Sequence, residues 1–205
     1  MSNSNPLRRT LPYSYYNVTL TLIVINVAVF LINRVAPRSQ IYLALIPQLV
    51  LQRGFFWQVL TYMFVHGGFS HILFNMLGLF IFGVQLERRM GSNEFLLFYL
   101  TTGVGTGLFS LVLGTNVVGA SGAIYALLLA FATYFPYARI FIFGLLPLRA
   151  PVAVALFAGL SLFFHFSGAM GGVAHLAHLA GIVLGYIYFV VRLGINPIRV
   201  FLERD

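Results

Sequence analysis

Six stretches of this chain, at residues 17–33, 70–87, 94–114, 121–135, 150–166 and 173–191, are each 15–21 residues long and contain no aspartate, lysine or arginine. Runs of about this length are what helices need to cross a hydrocarbon layer about 30 Å thick at 1.5 Å per residue. In lipid the helix is the form they take, because each backbone N–H and C=O has to find its partner within the segment. Composition removes the soluble alternative. Only 8% of the residues are charged, 60% are hydrophobic and the mean hydropathy is +0.94, whereas a water-soluble domain carries about a quarter charged residues. The expected fold class is an all-α membrane protein of six transmembrane helices, one domain over residues 1–205, with the lipid bilayer as its surroundings.

The first of these stretches follows Arg8 and Arg9, as in a signal peptide. It is long and has no small-residue cleavage site, so it reads as a retained first span. Between the first two spans, Arg34 to Phe69 is partly apolar and broken by Pro37, Pro47 and Gly54. Its segment Ile41 to Leu51 is too short to span and is expected to lie in the interface or dip into it, giving a partly embedded first loop. With the N-terminus in the cytoplasm, nine arginines (8, 9, 88, 89, 139, 149, 192, 199 and 204) fall inside and three (34, 38 and 53) outside. The positive-inside rule thus puts both termini in the cytoplasm. The same scatter argues against nucleic acid as the partner of the +8 charge. With no transit peptide visible, the expected location is a prokaryotic plasma membrane.

Pro136 limits the fourth span. Gly122 to Phe135 is fourteen residues, about 21 Å of helix against about 30 Å of hydrocarbon. If the far end reaches the cytoplasmic boundary, Ser121 begins about 10 Å below the outer surface. The approach, Thr115 to Gly119, is then non-helical backbone at membrane depth, which is tolerated only inside protein or beside a water cavity. Ser121 is expected at the floor of such a cavity.

Peptide hydrolysis needs a nucleophile, a base, an oxyanion site and water. Ser121, in Gly119-Ala120-Ser121-Gly122, supplies the first at a helix N-terminus whose dipole and free N–H groups favour negative charge. Gly119 and Gly122 allow close backbone approach; the competing reading is a small-residue helix contact. His178 supplies the base, and Gly181 and Gly185 on the same helix give it a small-residue face for packing. Its alternative is a histidine bonded to a neighbouring helix. His71 and Asn75, four residues apart, share one face of the second span; they are an oxyanion donor pair or interhelical glue. Tyr125, one turn from Ser121, can stack on the base or simply pack. His66, His165 and His175 are weaker candidates, assigned to the interface, a local hydrogen bond or the cavity lining.

Elimination narrows the chemistry. There is no cysteine, so thiol catalysis, disulfides and thiolate metal sites are excluded. No His-Glu-x-x-His run exists and no carboxylate lies near the histidines in sequence, so no metal is expected. The four acids, Glu87, Glu94, Glu203 and Asp205, fall at or beyond the cytoplasmic ends of the spans. That leaves no third triad member and no aspartate pair, and the lack of lysine excludes a serine–lysine dyad. A protease here is a serine–histidine dyad enzyme. A transporter or channel would show paired ionisable groups along a path, or inverted repeats, and neither is evident.

In combination these residues resemble the rhomboid family of intramembrane serine proteases, over nearly the whole chain. The resemblance rests on Gly119-Ala120-Ser121-Gly122 with Tyr125, on His178-Leu179-Ala180-Gly181, on His71-Ile72-Leu73-Phe74-Asn75, and on Gly83, Glu87 and Gly91-Ser92. It implies a six-helix rhomboid-like bundle and a Ser121–His178 dyad needing no cofactor. His71, Asn75 and the Ser121 N–H would hold the oxyanion, and Tyr125 would stack on His178. Single-pass transmembrane proteins, cut near their outer end, would be the substrates. It further implies a flexible cap at Ser167 to Gly172 and lateral entry beside the fifth span, with Phe163, Phe164 and Phe166 along the passage. One departure is Trp57-Gln58, where the family often carries Trp-Arg; it bears on how the loop is anchored, not on the chemistry. The length matches a minimal prokaryotic core. A catalytically inactive rhomboid-like binding factor is the alternative, disfavoured because such proteins typically lose the serine or the histidine.

Overall fold

The computed structural model describes residues 8–142, 144–168 and 174–203. Five helices are long and apolar enough to cross a membrane: α1 (Val18–Val35), α5 (Phe69–Met90), α6 (Ser92–Val112), α8 (Ala150–Ser167) and α9 (His175–Leu193). A shorter apolar helix, α7 (Ser121–Tyr134), lies among them. The loop after α1 holds three short helices, α2 (Ser39–Leu43), α3 (Pro47–Arg53) and α4 (Gln58–Thr61), and α10 (Pro197–Leu202) follows α9. A helix thus lies within a few residues of each of the six expected stretches, five of them long enough to cross a membrane. The largest shift is at the end of α5, which runs on to Met90 through a π-helical turn at Leu79–Gly83.

The all-α expectation needs one correction. Arg139–Ile142 and Leu146–Arg149 form an antiparallel hairpin between α7 and α8, with Arg139 opposite Arg149. Phenylalanine, isoleucine and leucine on either side of Gly144, which turns at φ +73°, favour a ribbon over a helix there.

Helix α7 is the centre of the bundle, with every residue from Ala126 to Thr133 buried. Small residues let its neighbours close on it. A Cβ on Gly181 of α9 would stand 2.0 Å from the Gly122 carbonyl oxygen, and one on Gly122 would stand 2.5 Å from Thr106 Cγ2 of α6. In lipid, helices associate through this kind of backbone-close packing rather than through a hydrophobic drive.

Two buried carboxylates tie the ends of the spans together. Glu87 on α5 accepts hydrogen bonds from the backbone N–H groups of Val18 (2.6 Å) and Thr19 (2.8 Å), filling the role of an N-cap for α1 from another helix. It also accepts from Ser92 Oγ at 2.5 Å, and Ser92 Oγ accepts from Tyr16 N–H at 2.9 Å. Gly91 turns at φ +84° beneath Tyr13 and Ser14, where a Cβ would come within 3.3 Å of the Ser14 backbone. The Gly83, Glu87, Gly91-Ser92 element is therefore a clasp for the N-terminal segment. Glu94 pairs with Arg192 across two bonds of 2.5 and 2.9 Å and accepts from Tyr188 Oη, joining α6 to α9.

The first loop is anchored through the residue that replaces the expected arginine. Gln58 is fully buried; its Oε1 accepts from Ile46 N–H (3.0 Å) and its Nε2 donates to the Ile41 and Tyr42 carbonyls (2.8 and 3.3 Å). Trp57 Nε1 donates to Tyr42 O and Thr61 Oγ1 to Leu43 O, each at 2.8 Å. One side-chain amide thus satisfies both donor and acceptor groups of the loop backbone.

Candidate active site

Ser121 is the first residue of α7, as the sequence predicts. The backbone leading to it is non-helical, and its polar groups are met by the first loop. Val117 exchanges two hydrogen bonds with Leu45 (3.0 and 3.1 Å), and Gly119 N–H donates to Tyr62 O at 2.9 Å. Tyr62 is held in turn by its hydroxyl, which donates to Gly103 O at 2.7 Å. Irregular backbone between helices is stable here because the loop satisfies it.

Ser121 Oγ lies 2.8 Å from His178 Nε2. The contact joins α7 to α9 and depends on Gly181, which faces Gly122 one turn beyond the histidine. Tyr125, one turn along α7, stacks on the imidazole with ring centroids 4.4 Å apart and planes 10° from parallel. His178 Nδ1 is buried and finds no hydrogen-bond partner among the described residues. The plane of the ring is therefore set by the serine on one side and the tyrosine face on the other, without a carboxylate.

On the opposite wall, His71 approaches Gly119 so closely that a Cβ there would lie 2.6 Å from His71 Nε2. Gly119 also sits at φ +104°, a region L residues rarely adopt. His71 Nδ1 accepts a long hydrogen bond, 3.4 Å, from Gly67 N–H. This leaves Nε2 as the nitrogen facing the serine turn. Asn75 is buried on the same helix face, but its Nδ2 donates to the His71 carbonyl at 2.7 Å. Of the predicted residues, Asn75 is the one whose amide is occupied elsewhere.

The remaining histidines divide differently from the sequence reading. His66, expected near the interface or in a local bond, is fully buried with its ring edge-on to His71 at 5.1 Å. Burial and, secondarily, the neighbouring His71 push its pKa down to about 4. His175 is buried 6.1 Å from His178, and His165 is exposed. Phe163 and Phe166 face outward, and Phe164 packs against His175 at 5.8 Å. Ser167 and Gly168 are described, whereas residues 169–172 of the expected cap lie outside the described residues. Glu87 and Glu94 are engaged with α1 and with Arg192. Glu87 is sixteen residues beyond His71 on α5, about 24 Å of helix. No group of three or more histidine and acidic side chains that could hold a metal occurs among the described residues.

A serine–histidine pair inside a bundle of apolar helices is compatible with several histories, and comparison with known proteins decides between them. The Rhomboid domain family model matches residues 53–194. The chain belongs to the rhomboid family. It is 29% identical over 197 residues to the mitochondrial Rhomboid protein 1 of Saccharomyces cerevisiae, covering 86% of this chain and 55% of that one. It is 30% identical over 205 residues to the rhomboid protease AarA of Providencia stuartii, covering 82% of this chain and 69% of the relative. RHOMBOID-like protein 4 of Arabidopsis thaliana is 32% identical over 139 residues, 67% of this chain and 34% of the relative. The chain thus spans about half the length of the yeast relative and a third of the plant one. The matched rhomboid region takes in Ser121, His178, His71, Asn75 and the Glu87 clasp, and leaves α1 outside.

Proposed function

We propose that this chain is an intramembrane serine endopeptidase with Ser121 as nucleophile and His178 as general base. The observation that carries the reading is the 2.8 Å contact between Ser121 Oγ and His178 Nε2 at the head of a short buried helix. In the acylation step Ser121 Oγ attacks the scissile carbonyl and its proton passes to His178 Nε2, which then delivers it to the leaving amine. Water, activated by the same nitrogen, hydrolyses the acyl-enzyme and regenerates the serine. The stacked Tyr125 takes the orienting role that a carboxylate fills in a triad.

The developing oxyanion would be held by the Ser121 N–H, by His71 Nε2 and by Asn75. The first lies at a helix N-terminus, where N–H groups lack intrahelical partners. His71 Nε2 already borders Gly119. Asn75 joins by turning its amide away from the His71 carbonyl, one bond exchanged for another. Gly119, Gly122 and Gly181 are supporting residues, there for the close approaches that bring these groups together.

The substrates would be single-pass transmembrane proteins. A peptide bond in a membrane helix is shielded by its own hydrogen bonds, so cleavage falls where the helix can unwind. A serine lying about 10 Å below the outer surface would cut near the outer end of such a helix. In this reading α7 crosses the membrane as the fourth of six spans, the first loop is partly embedded, both termini are cytoplasmic and the membrane is a prokaryotic plasma membrane. No cofactor or metal takes part.

The test is cleavage of a tagged single-pass protein in proteoliposomes by the wild type and by Ser121→Ala. Cleavage by the wild type alone supports the reading; equal product from both proteins, or none from either, contradicts it. A non-catalytic binding role gains nothing from a serine and histidine held at hydrogen-bond distance.

A further inference from the structure

Helix α8 buries few residues. Its buried residues are Ala150, Ala153 and Val154 near its start and, in its outer half, Ser161 alone. The neighbours Leu160 and Leu162 are exposed, so Ser161 faces into the bundle. Its hydroxyl behaves unlike several others buried within the apolar helices. Those of Thr102, Thr106, Ser110 and Thr133 fold back onto the carbonyl four residues earlier, the usual way a serine or threonine is satisfied in an apolar helix. Ser161 Oγ instead donates across to Tyr125 Oη at 3.3 Å.

Tyr125 is the residue whose ring lies on the imidazole. Since His178 Nδ1 has no hydrogen-bond partner among the described residues, the Tyr125 face sets the plane of the base. The tyrosine ring is fixed at its far end by the Ser161 bond and along its edge by Phe157 of α8, at 6.2 Å and 79°. Both of these contacts come from α8. A ring held at the Cβ alone can swing about the Cα–Cβ bond and rotate about its own axis; the hydrogen bond at the hydroxyl restricts the swing and the Phe157 edge contact restricts the rotation.

We infer that Ser161 is a positioning residue that holds the ring of Tyr125 in place, and through it the imidazole of His178, so that the outer half of α8 is coupled to the base. This rests on the proteolytic reading for its consequence in catalysis, though the coupling is a property of the fold. A substrate helix passing beside α8 would act on the alignment of the dyad as it enters.

Three variants test it: Ser161→Ala, Ser161→Thr and Tyr125→Phe, with the Ser161→Ala/Tyr125→Phe double variant. The expected result for Ser161→Ala is a fall in kcat of about 5–10-fold, the worth of one neutral hydrogen bond, with KM unchanged. Fluorophosphonate labelling of Ser121 should slow by the same factor. Ser161→Thr, which keeps the hydroxyl, should recover most of the rate, and Ser161→Ala should have no further effect in a Tyr125→Phe background. An effect confined to KM or to thermal stability, or single effects that multiply in the double variant, would overturn the inference. A second readout is independent of activity: the ring-proton resonances of His178 in histidine-labelled protein, which ring current from a stacked tyrosine displaces. Ser161→Ala should move or broaden them. If the wild type proved inactive the proteolytic reading would fail, and unmoved His178 resonances would separately refute the coupling.

Discussion

Replacing Gly181 by alanine should separate the dyad without touching either of its members. A Cβ at Gly181 would lie 2.0 Å from Gly122 O, 2.8 Å from Gly122 C and 3.1 Å from Gly122 Cα, all backbone atoms that cannot rotate away. Real Cβ contacts stay beyond 3.0 Å, so α9 has to retreat from α7 by about 1 Å. His178 lies three residues before Gly181 on the same face and moves with it. Its 2.8 Å contact with Ser121 then stretches to nearly 4 Å, beyond hydrogen-bond range. A misplacement of about 1 Å costs on the order of 100-fold in rate, and overpacking of this kind costs about 1–3 kcal/mol in stability. Gly185, one turn on, supplies the comparison. A Cβ there meets Ala126 Cα and Cβ at 3.2 Å, a conflict relieved by a few tenths of an ångström. We expect Gly181→Ala to reduce the turnover of a transmembrane substrate and the rate of fluorophosphonate labelling about 100-fold, and Gly185→Ala to reduce them less than about 5-fold. Both should be measured on protein whose unfolding midpoint in detergent shows a folded state. Gly181→Ala retaining half of the wild-type labelling rate would refute the reasoning, as would equal losses in the two variants.

Other outcomes follow from the same geometry. His71→Ala and Asn75→Ala should each lower kcat about 10–1000-fold, as loss of an oxyanion donor does, and unchanged turnover in both would reassign them as structural. Glu87→Ala strips the acceptor from Val18 N–H, Thr19 N–H and Ser92 Oγ, so thermal unfolding in detergent should show a loss of roughly 3–5 kcal/mol while the folded fraction still labels at Ser121. His66 is held neutral by burial, with its pKa lowered to about 4 from 6.5. Its depressed value means that the unfolded chain binds the proton first, so this contribution is present above pH 6.5 and is lost as pH falls from 6.5 toward 4. The loss amounts to at most about 3 kcal/mol. Unfolding midpoints of the wild type and His66→Phe, measured between pH 7 and pH 4, should show the shallower acid dependence in the variant.

Much of this arrangement was legible in the sequence, for identifiable reasons. Apolar runs report lipid exposure directly, so the long helices were found with ends displaced by only a few residues. Pro136 and the glycines around Ser121 marked α7 as short and its start as irregular. One-turn spacing put Tyr125 on the face of Ser121, and Gly181 and Gly185 gave the His178 helix a face for close packing. What escaped was chemistry that depends on partners distant in sequence. Gln58 looked like the loss of an anchor, and only the fold shows its amide bridging the backbone of the first loop. Glu87 read as a charge at a span end, yet it caps a helix that begins 69 residues earlier. His66 carries no local signal for burial beside His71. Ser161 is an ordinary serine in an apolar helix until its bond to Tyr125 is seen. The Arg139–Arg149 hairpin was hidden because a short apolar connection between spans has the same composition whether it coils or pairs.

The central claim is that Ser121 is an activated nucleophile, and covalent labelling by a fluorophosphonate probe in detergent-purified protein tests it most directly. The wild type should label, and Ser121→Ala and His178→Ala should not. Folded wild-type protein that fails to label, or labelling that persists in Ser121→Ala, would contradict the account.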